Sequence, residues 1–250
     1  MTLSAGGRTD TGPRNLNQDC LEWDLRLGLF VVADGMGGHN AGEVASRLAV
    51  QAIREFAAES ASGADLTWPF PYETNHSVDA NRLLTAVRLA NRRVYDQGCG
   101  DTSMEGMGTT VVAVLVTGDQ AALVSVGDSR IYRFRDNQLE QLTSDDTWLS
   151  AIIGVADDDR ANSNHPLKHV LTSVVGTRDD LRPDAREEQL RPGDRLILCS
   201  DGIHGRLDAE AIASILRAGG TPDQLAAALV EEALARRTSD NATALVIAAD

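Results

Sequence analysis

Three aspartates stand at the ends of apolar stretches that are typical of buried strands. Asp34 lies in "VVADG", which ends the first apolar strand, and Asp201 lies in "LCSDG", which ends a later one. Asp240 lies in "TSDNAT", which opens the last apolar strand. If these strands are neighbours in one core, the carboxylates lie close together and repel one another unless a cation compensates. Ligation by oxygen alone suits a hard ion such as Mg²⁺ or Mn²⁺ better than zinc. The pattern therefore indicates a site for a hard divalent cation.

Each Asp-Gly or Asp-Asn pair also has a simpler interpretation as a turn, because both residues tolerate the backbone angles that turns require. For the glycines that follow Asp34, three interpretations remain open: a phosphate loop, a plain turn or a metal-ligand loop. The "GDS" stretch at 127–129 is predicted to be a turn, and "DDD" at 157–159 a solvated loop. The stretch "RNLNQDC" adds Arg14 and Asp19 as a further pair of candidate site residues.

The elements that would position these side chains follow from the apolar pattern. A helical apolar period begins at Ala41, and a second helix is predicted at about 79–97. Ala-rich helices follow near 209–217 and 223–237. The runs "TTVVAVLV", "AALVSV", "RIYRF" and "QLEQLT" are joined by connections of a few residues, which can join only antiparallel strands. Most strands are apolar on both faces, so we expect each sheet to be covered by the other sheet and by helices. One α+β domain over 1–250 is the simplest prediction.

Composition excludes several classes of function. The net charge of -14 argues against a nucleic-acid surface and against binding to anionic membranes. The apolar runs are far shorter than the ~20 residues of a membrane helix, and no signal peptide is expected at the N-terminus. Cys20, Cys99 and Cys199 are isolated, which favours neither a disulfide framework nor a thiolate zinc site and suggests a cytoplasmic protein. Lys168 is the only lysine, so no lysine-containing phosphate loop is present.

A family resemblance is carried by seven stretches in a fixed order: "RTDTGPRNLNQD", "VVADGMGGHNAGE", "GMGTT", "SVGDSRIYRFRD", "LTSDDTW", "LCSDG" and "SDNAT". Together they resemble the metal-dependent protein phosphatases of type 2C, in their short bacterial single-domain form, from about Arg8 to Val246. The resemblance implies a four-layer α-β-β-α sandwich of two antiparallel sheets flanked by helices. It also implies a serine/threonine phosphatase that hydrolyses phosphoserine and phosphothreonine on proteins by a dimetal-activated water.

The same resemblance implies a set of metal ligands. Asp34, Asp201 and Asp240 match the metal-binding aspartates of the family, and the backbone carbonyl of Gly35 would be a further ligand. Two Mn²⁺ or Mg²⁺ ions are expected. A third ion, with Glu105 as a possible ligand, is expected to be weak or absent, because Gly205 stands where the eukaryotic pattern has another aspartate.

Four residues are assigned roles around these ligands by the resemblance. Arg14 matches the phosphate-binding arginine, and Asp19 matches the acidic residue that hydrogen-bonds metal-bound water, so that Arg14, Asp19 and Asp34 form the expected catalytic set. Gln18, which replaces a glutamate found in many members, would keep a water-binding group next to the metal ligands. Asn241 would hold the last loop in place. Met36 occupies the position of a histidine proposed as general acid in eukaryotic members, which leaves the general acid open.

The expected partners are phosphorylated proteins that are targets of a serine/threonine kinase. The segment at about 143–166 matches the variable flap beside the active site and joins a hairpin to the helix-like stretch "LKHVLTSVVG". Two alternatives remain: a catalytically degenerate phosphatase-like binding module, and a phosphatase that acts on an anti-sigma-factor antagonist.

Overall fold

A computed structural model describes residues 1–38, 41–61, 68–148, 150 and 170–250. The strands in these ranges are β1 (Leu3–Asp10), β2 (Asp19–Asp24), β3 (Leu29–Met36), β4 (Gly108–Thr109), β5 (Val111–Thr117), β6 (Gln120–Val126), β7 (Arg130–Arg135), β8 (Gln138–Gln141), β9 (Ala185–Gln189), β10 (Arg195–Cys199) and β11 (Ala242–Ala249). The α-helices are α1 (Ala41–Ala61), α2 (Val78–Gly100), α3 (Asp201–His204), α4 (Ala209–Arg217) and α5 (Pro222–Ala235), and a 3₁₀ turn covers Thr102–Met104.

The strands form two antiparallel sheets. One sheet has the order β1-β11-β10-β7-β8, and the other has the order β2-β3-β5-β6-β9, with β4 paired to the end of β3. The hairpins β5–β6 and β7–β8 have short connections, as the sequence predicts for antiparallel neighbours. The predicted α+β sandwich is confirmed.

Three apolar interfaces separate the four layers. Alternate residues of β3 face opposite sides of its sheet, because successive side chains of a strand point in opposite directions. Val31 packs with α1 and α2 on the outer face, whereas Phe30 lies between the two sheets with residues such as Leu245. On the outer face of the other sheet, Val246 packs with α4 and α5 residues such as Leu229. The continuous apolar strands are thus explained by burial on both faces.

Part of the predicted flap-like segment at about 143–166 lies outside the described residues, as does the start of "LKHVLTSVVG". The described part of that stretch corrects the helix-like interpretation. Leu171 and Val175 form isolated β-bridges with Thr147 and Thr109. An apolar repeat over so few residues fits either a helix or an extended segment, and here contacts with neighbouring strands determine the outcome.

Candidate active site

Four aspartates from both sheets meet at one end of the sandwich. Asp19 and Asp34 are directly paired across β2 and β3. Asp201 begins α3 two residues after the end of β10, and Asp240 lies just before β11, the neighbour of β10. Burial raises the pKa of Asp34 well above its usual value, and the charges of the other carboxylates raise it further. The strand ends therefore bring together the carboxylates that the sequence singles out.

Asp19 is held by hydroxyl groups of the opposite sheet. Its Oδ2 accepts a hydrogen bond of 2.8 Å from Ser200 Oγ, and Ser200 Oγ in turn accepts one from the backbone N–H of Thr243. Burial raises the pKa of Asp19 to about 6, against hydrogen bonds from Thr243 and Ser200 that lower it. Its other oxygen, Oδ1, is buried without a hydrogen-bond partner among the described residues. Such an atom is costly unless a cation or water satisfies it.

Arg14 lies at the edge of this group on the loop between β1 and β2. Its Nη2 donates to Asp240 Oδ2 at 2.6 Å, and its Nε donates to the carbonyl of Ser239 at 3.0 Å. The side chain is 54% exposed, so the guanidinium can also reach a bound anion. A planar guanidinium is well suited to the oxygens of a phosphate group.

Asn241 fixes the loop that carries Arg14. Its Nδ2 donates to the carbonyls of Thr11 and Leu16 at 2.8 and 2.9 Å, and its Oδ1 accepts from the backbone N–H of Gln18 at 2.8 Å. The carbonyl of Gln18 then accepts from the backbone N–H of Gly35. Asn241 thus connects the Arg14 loop to the strand that contains Asp34, which is a positioning role for a buried side-chain amide.

Two glycines next to the aspartates have no room for a side chain. A Cβ on Gly35 would lie 1.9 Å from the carbonyl oxygen of Gly42, and one on Gly202 would lie 1.8 Å from that of Asn241. The Asp-Gly pairs therefore do more than form turns: they allow α1 and the Asn241 loop to approach the carboxylates closely.

Asp128 belongs to the same group, although the sequence predicts only a turn there. Burial raises its pKa to about 7, and the charge of Asp201 raises it further. Asp128 in turn contributes to the raised pKa of Asp34. The signal for it is that Asp128 closely follows the apolar run "AALVSV" of β6, as Asp34 and Asp201 closely follow the apolar runs of β3 and β10.

The donor set fits hard divalent cations. It consists of carboxylate oxygens that raise one another's pKa, together with the unsatisfied Oδ1 of Asp19. Among the described residues, no three His, Cys, Asp or Glu side chains form a complete chelating cluster by themselves. Mg²⁺-type sites commonly keep several waters and need few protein carboxylates, so the set suits partly hydrated ions.

Residues 7–236 match the family model described as protein phosphatase 2C. The chain belongs to this family. The serine/threonine protein phosphatase PstP of Mycobacterium tuberculosis is 34% identical over 98% of this chain, and the match covers 45% of PstP. A putative protein phosphatase 2C-type of Streptococcus pyogenes is 32% identical, over 96% of this chain and 95% of that protein. This member of the protein phosphatase 2C family thus spans less than half of the length of PstP.

A solved structure of the PstP catalytic domain, in complex with two manganese ions, matches 98% of this chain and 97% of that one, with a TM-score of 0.82 and 32% identity. The family resemblance and the sandwich fold predicted from the sequence are therefore confirmed. In the described part of the chain, no helix is both long and apolar enough to cross a membrane.

In this phosphatase 2C domain, Asp128 is a second candidate ligand, besides Glu105, for the expected weak third ion. Glu105 is exposed and lines a surface hollow with Tyr95, Cys99 and Thr177. Asp128, by contrast, is close enough to Asp201 for the charge of Asp201 to raise its pKa. We expect Asp128→Asn to weaken the weakest Mn²⁺ step in a calorimetric titration by about tenfold, and Glu105→Ala to change it by less than about twofold, because hard cations depend on ligand charge. A larger effect of Glu105→Ala than of Asp128→Asn would favour Glu105 as the ligand.

Proposed function

We propose that this chain is a Mn²⁺- or Mg²⁺-dependent phosphatase that hydrolyses phosphoserine and phosphothreonine on proteins. The observation that carries the proposal is the group of mutually repelling carboxylates, drawn from both sheets, with the Arg14 guanidinium at its edge. Family membership and the two manganese ions of the PstP catalytic domain support it. Asp34, Asp201, Asp240 and the carbonyl of Gly35 would hold two ions.

When bound, such ions supply an activated water as the nucleophile and offset the charge of the phosphate. The chain's own residues then have separate tasks. Asp19, oriented by Ser200, would accept a hydrogen bond from water through its unsatisfied Oδ1. No side-chain nucleophile is required by this scheme, so Cys20 and Cys199, whose thiol pKa values are raised by burial, can remain structural.

Arg14 would bind the phosphate oxygens of the substrate. Its position is fixed by Ser239 and Asp240 on one side and by the Asn241-bound loop on the other. In-line attack on phosphorus spreads negative charge over the equatorial oxygens, and a prepositioned guanidinium stabilises that charge without reorganisation.

The binding-module alternative is disfavoured by the intact ligand set. A domain that only recognises a partner has no need for converging, mutually repelling carboxylates, whose cost is offset only when a cation binds. The alternative of an anti-sigma-factor antagonist as substrate differs only in the phosphoprotein. We further propose that the substrates are targets of a serine/threonine kinase in the cytoplasm, where three unpaired cysteines would stay reduced.

The proposal is tested by comparing hydrolysis of peptides that differ only in which residue carries the phosphate. With Mn²⁺ present, we expect phosphothreonine and phosphoserine peptides to be hydrolysed at least about tenfold faster, in kcat/KM, than a phosphotyrosine peptide of the same sequence. Asp34→Asn protein prepared in parallel measures any contaminating phosphatase. Preference for the phosphotyrosine peptide, or for small phosphate esters with no peptide hydrolysis, would contradict the proposed substrate class.

A further inference from the structure

Asp146 forms two hydrogen bonds with the turn that carries Asp128. The backbone N–H of Asp146 donates to the carbonyl of Gly127 at 2.8 Å, and the N–H of Gly127 donates back to Asp146 Oδ2 at 3.0 Å. Gly127 has a φ of +98°, and a Cβ there would lie 2.7 Å from the side chain of Thr110. The direction of the Gly127 amide is thus set by a single side-chain acceptor.

The segment around Asp146 is itself firmly attached to β7. Asp145 and Arg130 form a buried ion pair, with Nε–Oδ1 and Nη2–Oδ2 distances of 2.9 and 2.8 Å. The N–H of Ile131 donates to Thr143 Oγ1 at 3.1 Å. These contacts fix the backbone that precedes Asp146, and the carbonyl of Asp146 accepts from the backbone N–H of Thr172 at 2.8 Å. Asp146 is therefore a rigid support for the turn.

From the turn, hydrogen bonds continue to Asp34. Ser129 Oγ lies 2.7 Å from Thr110 Oγ1, which accepts from the backbone N–H of Asp34 at 3.1 Å. The N–H of Thr110 donates to the carbonyl of Asp34 at 2.8 Å. Asp146 is therefore connected through the 127–129 turn to the backbone of a predicted metal ligand, and Asp128 lies within the connection.

We propose that Asp146 is a positioning residue, whose side-chain acceptor holds the Gly127–Ser129 turn and thereby orients Asp128 toward Asp201 and Asp34. The requirement is for an oxygen acceptor, since its partner is a neutral backbone N–H. The consequence for cation binding rests on the proposed function. The orientation of the turn does not, and can be measured in the metal-free protein.

The test compares Asp146→Ala, which removes the acceptor, with Asp146→Asn, whose amide oxygen can replace it. Asp119→Ala is the control, because Asp119 is exposed at the opposite end of the β5–β6 hairpin. In metal-free protein, we expect hydrogen exchange of the 127–130 amides to increase in Asp146→Ala only. In calorimetry, we expect Asp146→Ala to weaken the weakest Mn²⁺ step about tenfold, and Asp146→Asn to stay within about twofold of wild type.

Ser129→Ala interrupts the same connection beyond the turn, and gives the calorimetric test if Asp146→Ala does not fold. Unchanged hydrogen exchange together with unchanged Mn²⁺ binding in Asp146→Ala would overturn the inference. Equal defects in Asp146→Ala and Asp146→Asn would also overturn it. If wild-type protein binds no Mn²⁺, the proposed function fails, whereas the exchange result still supports or overturns the role of Asp146.

Discussion

Replacing Asp34 with asparagine is expected to reduce phosphopeptide turnover by at least ~10²-fold, the scale seen when a preorganised electrostatic group is removed from an active site. Burial and the charges of four neighbouring aspartates raise the pKa of Asp34 well above its usual value. The asparagine side chain has the same shape but lacks the charge that would offset a divalent cation. The loss should therefore appear in kcat at saturating peptide and saturating Mn²⁺.

The matched control is Asp119→Asn, which changes the same residue type at an exposed position. It should leave kcat and KM within about twofold of wild type. Asp201→Asn and Asp240→Asn should resemble Asp34→Asn, because each removes a predicted ligand charge. A variant of any of the three with a near-normal rate at saturating Mn²⁺ would show that its ligand assignment is wrong.

Arg14→Ala is expected to raise KM and also to lower kcat, because the guanidinium would contact phosphate in the ground state and in the transition state. Loss of a charged hydrogen bond costs about 1.5–3 kcal/mol, so kcat/KM should fall by roughly ten- to 100-fold. Arg14→Lys should recover only part of this loss, since an ammonium group lacks the planar pair of donors. Steady-state kinetics on a phosphothreonine peptide separates the two parameters.

Two further measurements distinguish a phosphate-binding role from a structural one. Arg26→Ala is the control, because Arg26 is 91% exposed in the β2–β3 turn. Mn²⁺ affinity should change little in Arg14→Ala. If calorimetry instead finds Mn²⁺ binding lost while KM stays unaltered, Arg14 acts through its ion pair with Asp240 rather than on the substrate.

The sandwich and three of its site aspartates could be predicted because each depends on local pattern. Asp34, Asp201 and Asp240 adjoin long buried strands, and short connections require antiparallel neighbours. The sequence did not identify Asp128 as a site residue, because "GDS" after a strand is also typical of an ordinary turn. Only the pairing of β10 with β7, which begins two residues after Asp128, brings that turn to Asp201.

Contacts between distant parts of the chain could not be read from local sequence. Asn241 binds the 11–18 loop across more than 220 residues, and Ser200 reaches Asp19 across 181. Their residue types are compatible with many roles, and only the strand order decides which group each side chain meets. For the same reason local sequence offers Glu105, next to a motif, as a possible third ligand. In the structure Glu105 lines a surface hollow with Tyr95, Cys99 and Thr177, and its role as a ligand stays a prediction.

The most direct test of the central claim is whether divalent cations control hydrolysis of a phosphothreonine peptide by the wild-type protein. We predict that removing divalent cations with a chelator abolishes turnover, that adding Mn²⁺ back restores it, and that calorimetry on the stripped protein finds two tightly bound ions. Asp34→Asn should regain no activity on the same addition. Turnover that survives complete chelation would contradict a cation-dependent carboxylate centre as the catalytic site.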